Sequence, residues 1–225
     1  PLAQEAADVL EQDAALSHGM DAVARESSAR SGAWILIADR GGVAAAVASV
    51  LKQRSEKAVQ VHEKVSVDHL RRILSDVTDR HGSCAGILFA RSLNLPVASE
   101  CATQAELDGA REVSSDALSV FHALDNISTA APPKVWLLTR GAQAVAQADI
   151  PDATQAPLWG FGRAMALEQP AHWGGLIDIE PSGAVDATAI VAALLAGNDE
   201  DQIALRDGAR YVPRLQRSRD DAADA

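Results

Sequence analysis

The sequence predicts an α/β fold: a mostly parallel sheet with helices on both faces, closed by a C-terminal β-hairpin. Three observations predict it. From Trp34 to Ile179, apolar runs of strand length alternate with segments whose apolar residues recur at helical spacing. Those runs are almost unbroken Val, Ile, Leu and Ala, as strands covered on both faces must be. Near the end, Asp207-Gly208 separates two alternating runs, a strong hairpin signal.

The elements follow in order. Trp34–Ala38 is a first buried strand, and Asp39–Gly42 is its turn. Val43, Ala46, Val47, Val50 and Leu51 mark the next helical face. Ala58–His62 is a second strand. Val67, Leu70, Ile73, Leu74 and Val77 form a helix ending near Gly82, and Ala85–Phe89 is a third strand. A loop with Pro96 and Cys101 leads to Thr103 and Glu106, whose spacing is that of a capping box. The helix behind it carries Leu107, Ala110, Val113, Ala117, Leu118, Phe121 and Leu124 on one face. Pro132-Pro133 breaks the chain before a fourth strand, Lys134–Thr139.

The stretch from Ala153 to Ile179 organises the rest. Thr154 is placed as a cap, Pro157 fits a first helical turn, and Leu158, Phe161, Gly162 and Met165 share a face. Pro170 ends that run, and Trp173–Ile179 is a core strand. Asp186 caps a further helix through Ile190, Val191, Leu194 and Leu195, stopped at Gly197-Asn198. Gln202–Arg206 and Ala209–Leu215 form the hairpin, with Pro213 pointing to an edge position. Residues 2–26 are Ala-rich and fit one or two short helices split near Gly19, followed by a polar turn at Ser27–Gly32. Residues 1–32 are therefore read as an arm or linker, 33–215 as the folded unit, and 216–225 as a charged tail. The chain opens on Pro1 without Met and is expected to be a piece of something longer.

Composition narrows the function. The chain has 225 residues, enough to bury a real core, with 48% hydrophobic and 23% charged residues. A net charge of −11 argues against a nucleic-acid partner or an anionic membrane surface. Cys84 and Cys101 are too few for a zinc framework and are read as two free thiols in a reducing cytoplasm. No apolar run reaches the ~18 residues of a membrane span, and no secretory signal opens the chain.

A fold of this kind commonly carries a dinucleotide between its first strand and helix. That site needs a glycine-rich turn so that backbone N–H groups can approach the pyrophosphate. Here the segment Ala38–Ala45 has two adjacent glycines, no third, and Asp39 beside the phosphate position. It reads as a plain turn, and Glu63, at the distance of a ribose partner, as a surface acid. A short-chain reductase also needs a Tyr to protonate a carbonyl and a Lys four residues later to lower its pKa. The helix that should carry them has Trp159 and Arg163 at that spacing. Trp cannot supply the proton, and Arg gives one up with difficulty. The one tyrosine, Tyr211, lies in the hairpin, and Thr139, near the expected Ser, has no Tyr or Lys to act with. The six histidines form no His-Glu-x-x-His pattern, and no Gly-x-Ser-x-Gly follows a strand, so neither a metal site nor serine hydrolysis is expected.

Lys134–Val145, Ala156–Glu168, His172–Ile179 and Gln202–Leu215 together resemble the ketoreductase region of modular polyketide synthases, over about residues 33 to 215. The resemblance implies a truncated Rossmann-like, short-chain dehydrogenase-like fold. It implies the structural, non-catalytic N-terminal half of a ketoreductase, which braces the half that binds NADPH and reduces β-ketoacyl groups on the carrier protein. The family's catalytic residues have no matching positions, so no catalytic residue, cofactor or metal is assigned here. NADPH belongs to the partner half, and phosphopantetheine to the parent's carrier protein. The implied partners are the catalytic half and enoylreductase or dehydratase domains of the same cytoplasmic multienzyme, which would carry acyltransferase and NADPH-dependent oxidoreductase activity. Trp159, Phe161 and Arg163 are the candidate contacts for the core or for that partner. Rival readings are a divergent NADPH-dependent reductase, a structural half retained beside an enoylreductase, and a carrier-protein docking module. The acidic charge counts against the last.

Overall fold

The computed structural model describes residues 32–96, 103–125, 127, 131–197 and 199–215. The chain divides into two units, Pro1–Ser31 and Gly32–Ala225. The expected arm over 1–31, the tail over 216–225, Cys101 and Asn198 lie outside the described residues.

Strands and helices alternate: β1 (Ala33–Ile37), α1 (Val43–Gln53), β2 (Lys57–Val61), α2 (Val67–His81), β3 (Cys84–Phe89), a 3₁₀ turn (Arg91–Asn94), α3 (Gln104–Leu124), β4 (Lys134–Arg140), α4 (Ala156–Glu168), β5 (Trp173–Ile179), α5 (Ala187–Leu195), β6 (Gln202–Arg206) and β7 (Ala209–Tyr211). The sheet runs β2-β1-β3-β4-β5-β6-β7, parallel throughout except for β7. The Asp207-Gly208 turn of the hairpin has φ of 48° and 76°, positive at both central residues as a two-residue hairpin loop requires.

Helices cover both faces, so the core has two layers. Leu70, Leu74, Phe121, Leu124, Leu158 and Met165 of α2, α3 and α4 pack on Ile35, Ile87, Val135 and Leu137. Val47 and Leu51 of α1 with Ile190, Val191 and Leu194 of α5 pack on Leu36, Leu88, Leu138 and Ile177. The central strands β1, β3, β4 and β5 thus bury side chains in both directions, which explains their apolar runs, while edge strands β2 and β7 are largely exposed. Tryptophans fill the space left by glycines: an added Cβ at Gly86 would lie 2.6 Å from the Trp34 ring.

Most helix ends follow local chemistry. Thr103 and Glu106 form both bonds of the capping box, and Asp186 accepts from the N–H groups of Thr188 and Ala189. Three expectations need correction. On α1 the buried face is Val43, Ala44, Val47 and Leu51, with Ala46 exposed, because the helix begins directly at Val43 and turns Ala44 onto the sheet. On α3, Leu107 is 42% exposed, and the buried residues of the helix begin at Ala110. Thr154 does not cap α4: its Oγ1 donates to Asp152 Oδ1 at 2.7 Å, and the cap position falls to Gln155 without a side-chain bond. No described helix is long and apolar enough to cross a membrane.

Candidate functional site

In an open α/β sheet, ligands bind outside the carboxyl ends of the strands where the strand order reverses. Here β2 lies on one side of β1 and β3 on the other, so the reversal lies between β1 and β3. A cleft of about 640 Å³ opens there, lined among others by Asp39, Arg40, His62, Lys64, Arg91 and Asn94.

The cleft is bordered by the turn after β1 and the start of α1, where Asp39 is buried. Its Oδ2 accepts from Val43 N–H at 3.1 Å and its Oδ1 from Ala44 N–H at 2.8 Å, although Asp39 is five residues or fewer from both. Gly42, with φ 87°, bends the chain so that the carboxylate reaches back over the helix start. The positive end of the α1 dipole is therefore filled by the chain's own anion. An incoming phosphate would meet a like charge in place of free N–H donors, so the residues present do not fit a dinucleotide pyrophosphate. The turn is fastened further where Arg40 N–H donates to Asn94 Oδ1 at 2.7 Å.

The rest of the cleft carries compensated charge. Lys64 pairs with Glu112, and Asp116 lies 3.8 Å from Lys64 and 3.6 Å from Arg91. Burial pushes the Asp116 carboxyl above its ordinary range, against the pull of Lys64 and Arg91. The hydrogen bond from Lys64 holds Glu112 below its ordinary range. Glu63 is exposed, and its backbone carbonyl accepts from Arg91 Nη1 at 2.9 Å.

In the other half of the carboxyl end, side chains bond the loops to the strands. Asp178 is fully buried at the end of β5. It accepts from Thr139 Oγ1 at 2.6 Å, Ala142 N–H at 2.9 Å, Gln143 N–H at 3.1 Å and Arg206 Nη2 at 2.5 Å. Arg206, 5% exposed, also donates to the carbonyls of Asp178 and Gln143, while its Nε has no partner. Ser92 donates to the Leu138 carbonyl, and Gln155 Nε2 to the Ser92 carbonyl at 2.8 Å. Together these bonds tie the segments after β3 and β4 to β4, β5 and β6. Among the described residues, no group of three or more His, Cys, Asp or Glu is placed to hold a metal ion.

On α4 the residues at Tyr and Lys spacing part company. Trp159 is 3% exposed and points into the core. Arg163 is exposed, and its Nε donates to Gln202 Oε1 at 2.9 Å, beside β6. Phe161 is half-buried, its ring 6.0 Å from that of Phe121 on α3. The three candidate contact residues thus share a helix but not an environment: Trp159 is buried, Phe161 half-buried and Arg163 exposed. Tyr211 is 44% exposed on edge strand β7. The sequence reading missed Asp178 and Arg206. A lone Asp inside the apolar run of β5 was the available signal, since a buried charge requires a partner.

The comparisons with known proteins agree with this fold. A family model described as "Polyketide synthase extender module SpnB, Rossmann fold domain" matches residues 3–215. The pikromycin polyketide synthase component PikAII of Streptomyces venezuelae is 33% identical over 200 residues, covering 87% of this chain and 5% of its own. The erythronolide synthase EryA3 of Saccharopolyspora erythraea is 43% identical over 106 residues, 46% of this chain and 3% of its own. This chain therefore spans only a small part of the length of either relative. Among solved structures, a C2-type ketoreductase from a modular polyketide synthase superposes with a TM-score of 0.65 at 26% identity, covering 80% of this chain and 39% of that one. With its parallel sheet, two helical layers and terminal hairpin, the chain belongs to the Rossmann-fold domains of polyketide synthase extender modules.

Proposed function

We propose that this chain is the non-catalytic scaffold half of a polyketide synthase ketoreductase. In this reading it braces the half that binds NADPH and reduces β-ketoacyl groups on the carrier protein. The observation that carries the reading is that the chain's own charges occupy the carboxyl end of the sheet. Asp39 fills the helix N-terminus that a pyrophosphate would need, and the Asp178–Arg206 pair locks the segments around a would-be substrate. The reading is supported further by α4, where a buried Trp159 and an outward Arg163 stand in place of a Tyr and Lys acting together. NADPH and phosphopantetheine then belong to other parts of the parent synthase, as do the acyltransferase and reductase activities. Same-chain enoylreductase or dehydratase domains are further neighbours in this picture, whether or not the adjoining ketoreductase half is itself active.

The second reading, a divergent NADPH-dependent reductase, is favoured by one feature, the roomy cleft at the β1/β3 reversal. Titration with NADPH separates the two, following quenching of the four tryptophans and energy transfer to the nicotinamide. The scaffold reading expects no saturable signal up to millimolar cofactor. Saturable micromolar binding would overturn it and call for a reductase assay.

A further inference from the structure

The sheet has two edges, and they are built differently. An edge strand offers unpaired backbone N–H and C=O groups, which monomers blunt with short strands, Pro, bulges or mid-strand charges. β7 is guarded in this way: it is three residues long, with Arg210 at its middle and Pro213 just beyond it. β2 is five residues long, holds no Pro, pairs with β1 without a bulge, and has its charge only at its first residue, Lys57. The Val61 carbonyl accepts from Ala38 N–H at 2.8 Å, so the backbone groups of Val61 face β1. Alternation then turns those of Ala58 and Gln60 to the open edge, with His62 continuing the series just past the strand. No described strand pairs with that edge.

We infer that β2 is a self-pairing edge: a second copy of this chain adds its own β2 antiparallel, about a two-fold axis at Gln60, and makes one continuous sheet. The occupant follows from the sequence of the edge, Glu56-Lys-Ala-Val-Gln-Val-His-Glu-Lys64, which complements itself when reversed. Gln60 falls opposite Gln60 of the second copy, and each meets the other's outward N–H and C=O. Ala58 falls opposite His62, again with outward groups on both sides. Val59 falls opposite Val61, a pair without hydrogen bonds, where side chains approach most closely. That contact would finish covering Val59, which is half-buried in its own chain. Continuing the register sets Lys57 against Glu63 and Glu56 against Lys64, while Lys64 also has Glu112 of its own chain. Every charge at the ends of the edge thus meets its opposite. A shift of one residue either way would set Lys57 against Lys64 or Glu56 against Glu63, so the charges also fix the register. Asp76 and Arg80 of α2 line the groove beside Val59 and Val61, so both signs stand on that rim as well. The inference is independent of the scaffold reading, since a catalytic chain would present the same edge.

The test is analytical ultracentrifugation of the whole chain over about 1–500 μM, where a small interface associates. A monomer–dimer equilibrium with its midpoint in that range is expected. Gln60→Pro keeps every bond to β1, because the N–H it removes points to the open edge, and is expected to weaken the dimer by at least about 30-fold. Lys57→Glu sets like charges opposite each other twice, once on each side of the two-fold axis, and is expected to weaken it by about 5-fold or more. Adding Glu63→Lys to Lys57→Glu restores both pairs and is expected to return the affinity to within about 2-fold of wild type. Leu167→Glu, exposed on α4, is expected to leave the dimer unchanged. Circular dichroism and melting curves check that each variant folds, and should Gln60→Pro fail to fold, the charge exchange decides. A chain that stays monomeric up to about 500 μM would overturn the inference. So would a dimer that folded Gln60→Pro leaves intact, one that Glu63→Lys fails to rescue, or one that Leu167→Glu dissolves.

Discussion

Removing either member of the Asp178–Arg206 pair is expected to be among the most damaging single changes available to this fold. Asp178 accepts four hydrogen bonds, two of them from the backbone N–H groups of Ala142 and Gln143. Arg206 is 5% exposed and faces no other carboxylate within ion-pair distance among the described residues. Asp178→Asn keeps the shape but replaces one acceptor oxygen with an NH2 that points donors at donors. Arg206→Met keeps the stem and leaves the carboxylate buried with no countercharge. Breaking a buried pair from one side costs about 3–5 kcal/mol. In a domain of this size each kcal/mol lowers Tm by roughly 2–4 °C, so a fall of about 6–20 °C is expected. The double variant Asp178→Asn, Arg206→Met removes both desolvated charges and should cost less than the sum, with a coupling of about 2 kcal/mol or more. Urea unfolding followed by tryptophan fluorescence measures all three. Single losses under about 1 kcal/mol that add in the double variant would show that the pair does not hold this end of the sheet.

Three further outcomes are expected. Asp39→Ala should destabilise the chain by about 1–2 kcal/mol, because α1 loses its capping carboxylate, while Asp39→Asn, keeping one acceptor, should lose less; equal stability of all three forms in denaturant would refute the capping role. Gly160 and Gly162, two residues apart, should respond oppositely to Ala: at Gly162 a Cβ meets Trp173 and Leu176 at 2.9 Å and costs about 1–3 kcal/mol, whereas at Gly160 it meets nothing and stabilises the helix by about 0.5–1 kcal/mol. Burial pushes the Cys84 thiol up to about 12, so mass-spectrometric labelling with iodoacetamide should find it unreactive at pH 8 in the folded chain and reactive in urea. Because that pKa is raised on folding, its contribution to stability is complete below the unfolded value and is lost as pH climbs toward 12.

How much of this was legible depends on the range of the physics. The alternation of β1 to β5 with helices, the Thr103–Glu106 box, the Asp186 cap and the Asp207-Gly208 turn were all readable in the chain. Each is set by groups within a few residues of one another, through period, capping or turn geometry. Thr154 shows the limit of that local reading: it had the chemistry of a cap, but Asp152 two residues earlier took its hydroxyl. Asp39 stood in plain view as an acid near the phosphate position, yet its two bonds to the start of α1 depend on the bend at Gly42.

What only the tertiary structure decided was which surfaces meet. The reversal of strand order between β1 and β3 is a matter of packing, and it places the cleft. Asp178 and Arg206 are 28 residues apart, and no local rule joins them; parallel pairing of β5 with β6 does. Trp159, Phe161 and Arg163 looked alike as candidate contacts on one helix; the turn of about 100° per residue separates Phe161 from the other two, while Trp159 and Arg163, four apart, differ because tertiary packing buries the ring and Arg163 reaches out to Gln202. The sequence by itself determined the elements and the missing Tyr–Lys spacing on α4, because both are written in local order. Sending Trp159 inward, leaving Leu167 in water and pairing Asp178 with Arg206 at the carboxyl end were settled only when distant segments packed together.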